Sequence, residues 1–548
     1  MTPSDSASPS RLARLRHFLL RPHVLLLLFL AVVIAKGIYP DEFHYFGDEM
    51  RHGMTGVFFR DLMVDRPFAQ PVKYAYEYYA KYPALGVPHW PPLYYTVEGT
   101  FFLLLGINVV ASRLTTLAYA LVGIYCWYRI AERQGSRTLA LLSALIFPLL
   151  PYVLIYERAT MLEIPQVSMC LLTIFLWLRF LDTEKGIYLW VTAAAAAAAM
   201  LTSQKSIFLV FFLPLHFLSE GRFRLLRRWD LWAAGAASVA AVAPWYLFSV
   251  GNLALSYERA IGDSMSFLKK AWNFYFYPQM VPEQLGFLLS ALAAAGLAMA
   301  LFCRPRQNRL MLVWVFSAYV CFTVIQEKDL RHTMVWVPPL VYFALLALDV
   351  LFVRPPWTIM ARTALVAWVL FVGLRFDRPR MTGLDEVAEY VLSQPESDIV
   401  FYQGNLNGDF IFYVRQHDPQ KSHMVARDKQ VVATRVMSIF GSRVVLKSPQ
   451  EVIDLFRTWG IRYVVIEATD YLDSLGVTRA ALESGHFELI RKFELWKNQR
   501  DDIRDRIMVY RFKGELQRTS EPVSIPMMTL RADIKADLNR LAGRPWPN

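Results

Sequence analysis

The stretch "GDEMRHGMTGVFFRDLM", residues 47–63, decides how the rest of this chain is interpreted. It begins with the carboxylate pair Asp48 and Glu49, continues to Arg51, and follows shortly after an apolar run over 22–39. Ionisable groups beside a membrane-length run are costly unless they are paired or face water. The stretch therefore predicts a polar site at the surface where a first membrane span ends.

The composition predicts an integral membrane protein. Of the 548 residues, 55% are hydrophobic and only 19% are charged, which is too apolar for a soluble enzyme. The net charge of +12 comes from Lys and Arg clusters between apolar runs, as expected of cytoplasmic loops, so nucleic-acid binding is not indicated. None of the four cysteines is spaced for zinc or lies in the polar C-terminal region, and neither disulfides nor a cysteine metal site is implied.

The hydropathy pattern predicts eleven crossings, with the N-terminus cytoplasmic, the first span uncleaved and the C-terminus outside. A further apolar segment, 92–106, carries Glu98 in its middle. The basic loops fall on one side only if this segment does not cross, so it is predicted to be re-entrant or interfacial. The predicted spans are 22–39, 112–130, 138–155, 164–181, 187–202, 206–219, 230–250, 285–302, 310–326, 333–353 and 361–375.

Three regions follow from this pattern. Residues 1–375 are predicted to form the membrane domain with a long outer loop over 40–111, and 515–548 an extended or partly ordered tail. Between them, 376–514 alternates β-like runs with helical patterns such as "SPQEVIDLFRTWG", which predicts a small α/β domain outside the membrane. The β-like runs are "DIVFYQG", "DFIFYVR", "IRYVVIEAT", "FELIRKFEL" and "RIMVYRFKG". In "FYQGNLNGDFIFYVR" the Gly, Asn and Asp residues predict a turn between two strands.

Acidic and basic residues recur at the outer ends of several predicted spans, in "YERATMLEIP", "TSQKS" and "QEKDLRH". Their convergence would build an outward-facing polar site, although interfacial snorkelling explains single Lys or Arg residues. Carboxylates combined with cations suit transfer from a phosphate leaving group, because a carboxylate accepts the proton of the attacking hydroxyl and cations neutralise the departing phosphate. The sequence has no Gly-rich phosphate loop, so the donor is expected to arrive in the membrane as a lipid phosphate.

The order of these motifs resembles that of GT-C fold, polyprenyl-phosphate-sugar-dependent glycosyltransferases, a bacterial superfamily that includes protein O-mannosyltransferases and the aminoarabinose transferases of lipid A. Their first outer-loop signature is Asp-Glu-x-Arg-Tyr. Asp48, Glu49 and Arg51 match it, and His52 replaces the tyrosine. The resemblance implies an α-helical polytopic fold of about 11–13 transmembrane helices with a C-terminal periplasmic α/β domain.

Further motifs of the superfamily occur in the same order. "HWPPLYYTVEGTFFLLLGINVVASRL" is similar to its Lys-Pro-Pro-Leu-Tyr-Tyr segment, but Trp90 stands where a phosphate-binding lysine is frequent, so His89 or Lys81 would have to compensate. "YERATMLEIP" places Glu163 at a second acidic position, and "LTSQKS" resembles Leu-Thr-Lys-Gly with its lysine displaced. "EKDLRHTMVWVPPL" resembles Lys-x-x-Arg-Tyr followed by prolines, with His332 in place of tyrosine.

The resemblance implies an inner-membrane enzyme that moves a sugar from a polyprenyl phosphate to a periplasmic glycolipid, polysaccharide or protein, with inversion. By the same resemblance Asp48 is the base, and Glu49 and Glu163 are further catalytic candidates. The candidates for binding the donor phosphate are Arg51, Lys81, His89, Lys205, Lys328, Arg331 and His332. No cofactor is required by these motifs, and a divalent ion held by His89 and Glu163 is an open alternative.

Structural interpretations compete with each of these roles. Asp48 can cap the loop helix or pair with Arg51, and Glu163 can form a buried pair with Arg158. The doublet Asp41-Glu42 most simply marks the exit from lipid. At the level of the whole chain, the alternatives are a transporter or flippase of lipid-linked glycans, which would need inverted repeats and discontinuous helices, and a non-catalytic envelope assembly partner.

Overall fold

The fold was analysed on a computed structural model, which describes residues 20–43, 47–261, 271–325, 327–435, 442–468, 476–498, 506–527 and 532–545. Each predicted span contains a helix. These helices are Pro22–Ala35, Val109–Gln134, Arg137–Leu149 with Pro151–Glu157, Glu163–Thr183, Gly186–Thr202, Phe208–Glu220, Trp229–Ile261, Phe287–Cys303, Arg309–Thr323, Val337–Leu351 and Pro355–Arg375.

Within the described residues, five helices are long and apolar enough to cross a membrane, or six if one bent pair is a single span. The bent pair is Arg137–Leu149 and Pro151–Glu157, which meet at 68°. Pro151 stands at the first turn of the second helix and Leu150 is extended, because a residue before proline is disfavoured in the α conformation. Five shorter apolar helices accompany them. The chain is a multi-pass membrane protein, and the count of crossings and their orientation stay predictions.

The outer loop folds into three helices, Glu49–Asp65, Pro71–Lys81 and Leu93–Leu105. The first and third pack closely at Gly56, where an added Cβ would lie 2.1 Å from Glu98 Oε2. Glu98 is fully buried and accepts a hydrogen bond from the Ser112 hydroxyl. The acidic residue in the middle of this apolar segment therefore belongs to a packed helix pair.

A five-stranded sheet forms the C-terminal domain and confirms the α/β prediction. Its strand order is Met424–Arg427, Ile399–Gln403, Tyr463–Glu467, Arg506–Phe512 and Phe487–Glu494. The first three strands are parallel and the last two join antiparallel. The two inner parallel strands, "IVFYQ" and "YVVIE", are buried along their whole length, as parallel strands covered on both faces require.

Two predictions for this region were wrong. The run "DFIFYVR" lies in a helix, Asn407–His417, and is not a strand. A short apolar run buried on all sides does not distinguish a strand from a buried helix by periodicity. The Gly, Asn and Asp residues of "FYQGNLNGDFIFYVR" therefore lead into this helix and do not form a turn between two strands. In the tail, Val523–Met527 pairs antiparallel with Ala532–Ala536 and the helix Leu538–Leu541 follows.

The outer loop and the C-terminal domain share one hydrophobic core, separate from the core of the membrane helices. Phe43, Tyr78 and Tyr82 of the loop are buried in the same cluster as Leu384 and Phe410 of the domain. Beside this core a buried ion pair joins the two parts, with Arg415 Nε and Nη2 donating to the Asp61 carboxylate at 2.8 and 2.9 Å. Loop and domain therefore form a single unit above the spans.

Candidate active site

Asp48 precedes the helix Glu49–Asp65, yet its side chain makes no capping hydrogen bond. The carboxylate is 29% exposed and accepts from Arg331 Nη1 at 3.3 Å. The capping interpretation is therefore wrong. Burial opposes ionisation, but His52 and the guanidiniums of Arg331 and Arg51 outweigh it and lower the pKa of Asp48 below its usual value, so the carboxylate is ionised at neutral pH.

The Arg331 guanidinium lies within 3.8 Å of three carboxylates. Its Nε donates to Asp329 Oδ2 at 2.7 Å and lies 3.8 Å from Glu163 Oε1, and its Nη1 reaches Asp48. Asp329 in turn accepts from the Arg331 backbone N–H at 3.0 Å, which starts the 3₁₀ helix Leu330–Trp336. This local turn fixes the guanidinium between the two more distant acids.

Glu163 begins the helix Glu163–Thr183 and accepts from Lys205 Nζ at 2.6 Å. Lys205 reaches it from a 3₁₀ turn, Gln204–Ile207, which follows the extended Ser203. The interpretation of Glu163 as the partner of Arg158 is wrong, because Arg158 donates to the carbonyls of Val33 and Phe376 at 2.8 and 3.0 Å.

Five of the polar residues predicted to converge therefore do so, from four separate segments of the chain. Asp48, Asp329 and Glu163 supply three negative charges, and Arg331 and Lys205 supply two positive ones, a net charge of about −1 when all are ionised. We call these five residues the Asp48 cluster. A cluster of this charge suits proton acceptance better than phosphate binding.

Arg51 lies one helical turn from Asp48, with its backbone N–H donating to the Asp48 carbonyl at 3.0 Å. Its guanidinium makes no hydrogen bond or ion pair with any residue that the structure describes, so the proposed Asp48–Arg51 ion pair is not formed. A cation next to the Asp48 cluster is thus left available for a ligand.

The histidines near this cluster are neutral at pH 7. Burial lowers the pKa of His89 and of His52 to about 4. His52 Nδ1 shares a 2.6 Å hydrogen bond with the Tyr95 hydroxyl, and its ring lies 4.4 Å from that of Trp90. His332 Nδ1 lies 3.4 Å from the Tyr277 hydroxyl. The histidines therefore offer hydrogen bonds to a phosphate and not positive charge.

Two predicted phosphate ligands are engaged elsewhere. Lys81 is fully buried and donates to the backbone carbonyls of Lys421 and Leu541. Lys328 donates to three carbonyls at the end of the helix Arg309–Thr323, those of residues 322, 323 and 325, at 2.9, 2.8 and 2.7 Å, which is a favourable place for a cation. In this arrangement both ammonium groups donate to backbone carbonyls, so the structure gives no support to their assignment to the donor phosphate, which stays a prediction.

Glu49 points away from Asp48 into a buried network. It is fully buried, accepts from the Thr160 backbone N–H at 2.8 Å, and lies 3.4 Å from Arg113. Arg113 also binds Asp41, which accepts from Arg378 at 2.7 Å. Glu49 has a supporting position, and Asp41 is a buried bridge between loop and C-terminal domain instead of a simple lipid exit.

Sequence reasoning missed Arg378 in this network. It follows the last predicted span, in a segment assigned to the start of the C-terminal domain, and no spacing relates it to Asp41. No group of three or more His, Cys, Asp or Glu side chains that could hold a metal ion occurs in the part of the chain that the structure describes.

Comparisons with known proteins show which family and which fold the chain resembles. Residues 89–248 match the family model described as "Dolichyl-phosphate-mannose-protein mannosyltransferase". The match covers less than half of the chain. Together with the shared fold, it supports the resemblance seen in the motifs to GT-C fold membrane glycosyltransferases that use lipid-linked sugar donors.

The individual proteins that the chain resembles have low sequence identity to it. ArnT from Cupriavidus metallidurans in the apo state aligns with a TM-score of 0.58 and 15% identity, over 89% of this chain and 98% of that one. ArnT bound to undecaprenyl phosphate aligns with a TM-score of 0.57 and 15% identity, over 89% and 97%. An uncharacterized protein of Aquifex aeolicus (strain VF5) is 28% identical over 116 residues, 20% of this chain. The matched part spans 23% of the length of that relative.

Proposed function

We propose that this protein transfers a sugar from a polyprenyl phosphate of the undecaprenyl type to a periplasmic acceptor, with inversion and with Asp48 as the base. The observation that carries the proposal is the state of Asp48. Its carboxylate caps nothing, is partly exposed, and is tied at 3.3 Å to Arg331, which also lies beside Glu163. A carboxylate held in this way is oriented but still open to a substrate.

The chemistry uses the residues as follows. An acceptor hydroxyl attacks the anomeric carbon of the sugar and forms the new C–O bond, while the bond from that carbon to the phosphate oxygen breaks. The proton of the hydroxyl passes to Asp48, and the electron pair leaves with the polyprenyl phosphate. Cations beside the phosphate stabilise the charge that develops on it.

The low pKa of Asp48 in the free protein is compatible with its role as the base, because donor binding is expected to raise it. In the free protein, neighbouring positive groups keep the carboxylate ionised against the effect of burial. A bound phosphate brings negative charge to the same cations, which makes the carboxylate more basic. Asp48 therefore becomes a better proton acceptor once the donor is in place.

The donor class is supported by the fold shared with ArnT, which has been solved with undecaprenyl phosphate. Acceptors of the proposed reaction are a glycolipid, a polysaccharide or a protein. The chain is proposed to lie in the bacterial inner membrane with its N-terminus in the cytoplasm. The unit formed by outer loop and C-terminal domain then faces the periplasm, where nucleotide-activated sugars are absent.

The proposal is tested in cells that lack the gene and are complemented with the wild-type chain, Asp48→Asn or Asp182→Asn. Asp182 is a matched control because it pairs with Arg133 at 2.7 Å at the far end of the helix that Glu163 begins. Mass analysis of envelope glycolipids and glycoproteins is expected to show one sugar mass with the wild type and the control and to miss it with Asp48→Asn. An unchanged envelope in the deletion strain would contradict the proposal.

A further inference from the structure

A second group of cations lies where the C-terminal domain meets the helix Glu49–Asp65. It consists of Arg51 from that helix and of Arg427 and Lys429 from the end of the strand Met424–Arg427 and the turn after it. The positive charges repel one another: burial and the charge of Arg427 both lower the pKa of Arg51. We call these three residues the Arg427 cluster.

Arg427 is the informative member. It is only 7% exposed, and its Nε has no hydrogen-bond partner. Its hydrogen bond within the described residues runs from Nη1 to Asn407 Oδ1 at 3.2 Å, and it forms no ion pair there. A buried cation without a direct ion pair is costly, so a cation kept in this condition beside two others indicates a place for an anion.

Two carboxylates nearby offset part of the charge of the cluster without forming an ion pair with it. Glu467 accepts from the Tyr402 hydroxyl at 2.9 Å and from the Leu406 N–H at 2.6 Å. Asp428 has an unpartnered buried Oδ1, and burial raises its pKa to about 6. Neither forms an ion pair with Arg51, Arg427 or Lys429 in the described structure.

The loop over 404–408 holds the cluster in place against the helix. An added Cβ on Gly408 would lie 2.7 Å from Met50 Cγ and Sδ, so glycine permits this close approach of loop and helix. Asn407 of the loop accepts from Arg427, and Asn405 accepts from Lys429 Nζ at 3.0 Å. The amides position both cations without neutralising them.

We infer that Arg51, Arg427 and Lys429 form a binding site for the phosphate group of a substrate. The inference deepens the proposed function, on which it rests for its substrates. The Asp48 cluster carries a net negative charge, whereas the Arg427 cluster is positive and begins one helical turn away at Arg51. The C-terminal domain thus completes the active site by supplying two of its phosphate ligands. The phosphate group belongs either to the polyprenyl phosphate donor or to a phosphorylated acceptor lipid.

The site is tested by binding to the purified full-length chain in detergent, without transfer. The probes are a C55 polyprenyl phosphate against the C55 alcohol, and a phosphorylated disaccharide lipid against the same lipid without phosphate. Arg427→Gln and Lys429→Gln are each expected to weaken binding of one phosphate probe roughly 10–100-fold and to leave the phosphate-free partner unchanged. The probe that is affected identifies the source, and Arg427→Lys should restore part of the affinity.

Two controls separate this role from a structural one. Arg462→Gln removes a cation of the same domain that pairs with Glu396 at 2.8 Å, and should leave both affinities at the wild-type level. The thermal midpoint of ligand-free Arg427→Gln should be no lower than that of the wild type, because an unpaired buried charge is removed. Lys429 is partly exposed, so Lys429→Gln is expected to fold and to test the phosphate site even if Arg427→Gln fails to fold.

Wild-type affinity of both variants for both phosphate probes would overturn the inference. So would an equal loss of affinity for the phosphate-free lipids. Either outcome leaves the proposed function standing, because that proposal depends on sugar transfer and on Asp48.

Discussion

Arg331 donates to the Asp48 carboxylate at 3.3 Å and so joins two residues 283 positions apart in the chain. The bond connects the first outer loop to the segment before the tenth predicted span. Glu163, 3.8 Å from the same guanidinium, adds a third segment. Motifs that are individually weak in the sequence are thus parts of one arrangement.

Replacing Arg331 tests whether this arrangement supports catalysis. In Arg331→Gln the carboxylates of Asp48 and Glu163 lose their shared cation, and transfer is expected to fall by about 10²–10³-fold. Arg331→Lys should recover only part of the rate, because an ammonium cannot reproduce the planar fork of the guanidinium. Turnover with a lipid-linked sugar gives the readout. Equal loss in Arg354→Gln, an exposed arginine, would contradict this role.

Arg113 is expected to stabilise the fold and not the reaction. It is fully buried between Asp41 and Glu49, so Arg113→Met leaves the buried Glu49 without its cation and leaves Asp41 with Arg378 alone. The expected cost is about 3–5 kcal/mol, seen as a lower midpoint of unfolding in detergent. Arg133→Met, which breaks an exposed pair with Asp182, should cost about 0–1 kcal/mol. Similar midpoints for the two variants would refute the assignment.

Glu42 predicts a pH dependence of stability. Burial raises its pKa from 4.5 to about 7, so the folded state holds the proton more tightly than the unfolded chain. The contribution of Glu42 to the stability is therefore fully present below about pH 4.5 and falls by roughly 3 kcal/mol as the pH rises to about 7. Glu42→Gln keeps an acceptor for the Leu384 N–H, 2.9 Å from Oε1, and should remove this slope. Parallel curves for variant and wild type from pH 4.5 to 7 would show that Glu42 does not titrate as described.

Lys328 distinguishes the structural assignment from the one inferred by resemblance. Because its ammonium caps the end of the helix Arg309–Thr323, Lys328→Met is expected to lower the unfolding midpoint and to leave the KM for the donor near the wild-type value. Lys81→Met, which removes contacts to two backbone carbonyls, should behave in the same way. A large rise in donor KM at unchanged stability would restore the phosphate-binding role.

Hydropathy and alternation were sufficient for the elements of the fold. All predicted spans contain helices, and four of the five β-like runs are strands. The strand prediction for "DFIFYVR" failed for a physical reason. The helix Asn407–His417 is buried on nearly every side, so it lacks the polar face by which an amphipathic helix is recognised in a sequence. Hydropathy and alternation did not show that the outer loop packs with the C-terminal domain, because the two share a core across more than 300 residues of sequence.

For the site, residue types and order pointed to Asp48, Glu163, Lys205 and Arg331, which the fold brings together. Sequence could not show which cations would remain unpaired. Lys328 and Arg51 look equally available in the sequence, yet one caps a helix and the other pairs with no residue that the structure describes. Arg378 was missed because its partner Asp41 lies 337 residues earlier in the chain, and Arg427 because the helix that carries Arg51 belongs to a distant part of the sequence.

Asp48 is proposed to accept the proton in sugar transfer from a lipid phosphate. The most direct measurement is turnover of a polyprenyl-phosphate-linked sugar by purified wild type and Asp48→Asn, with the unfolding midpoint measured on the same preparations. Transfer by Asp48→Asn is expected to fall by about 10²–10⁴-fold at nearly unchanged stability and unchanged donor binding. Near-normal turnover by Asp48→Asn would contradict the assignment of Asp48 as the base.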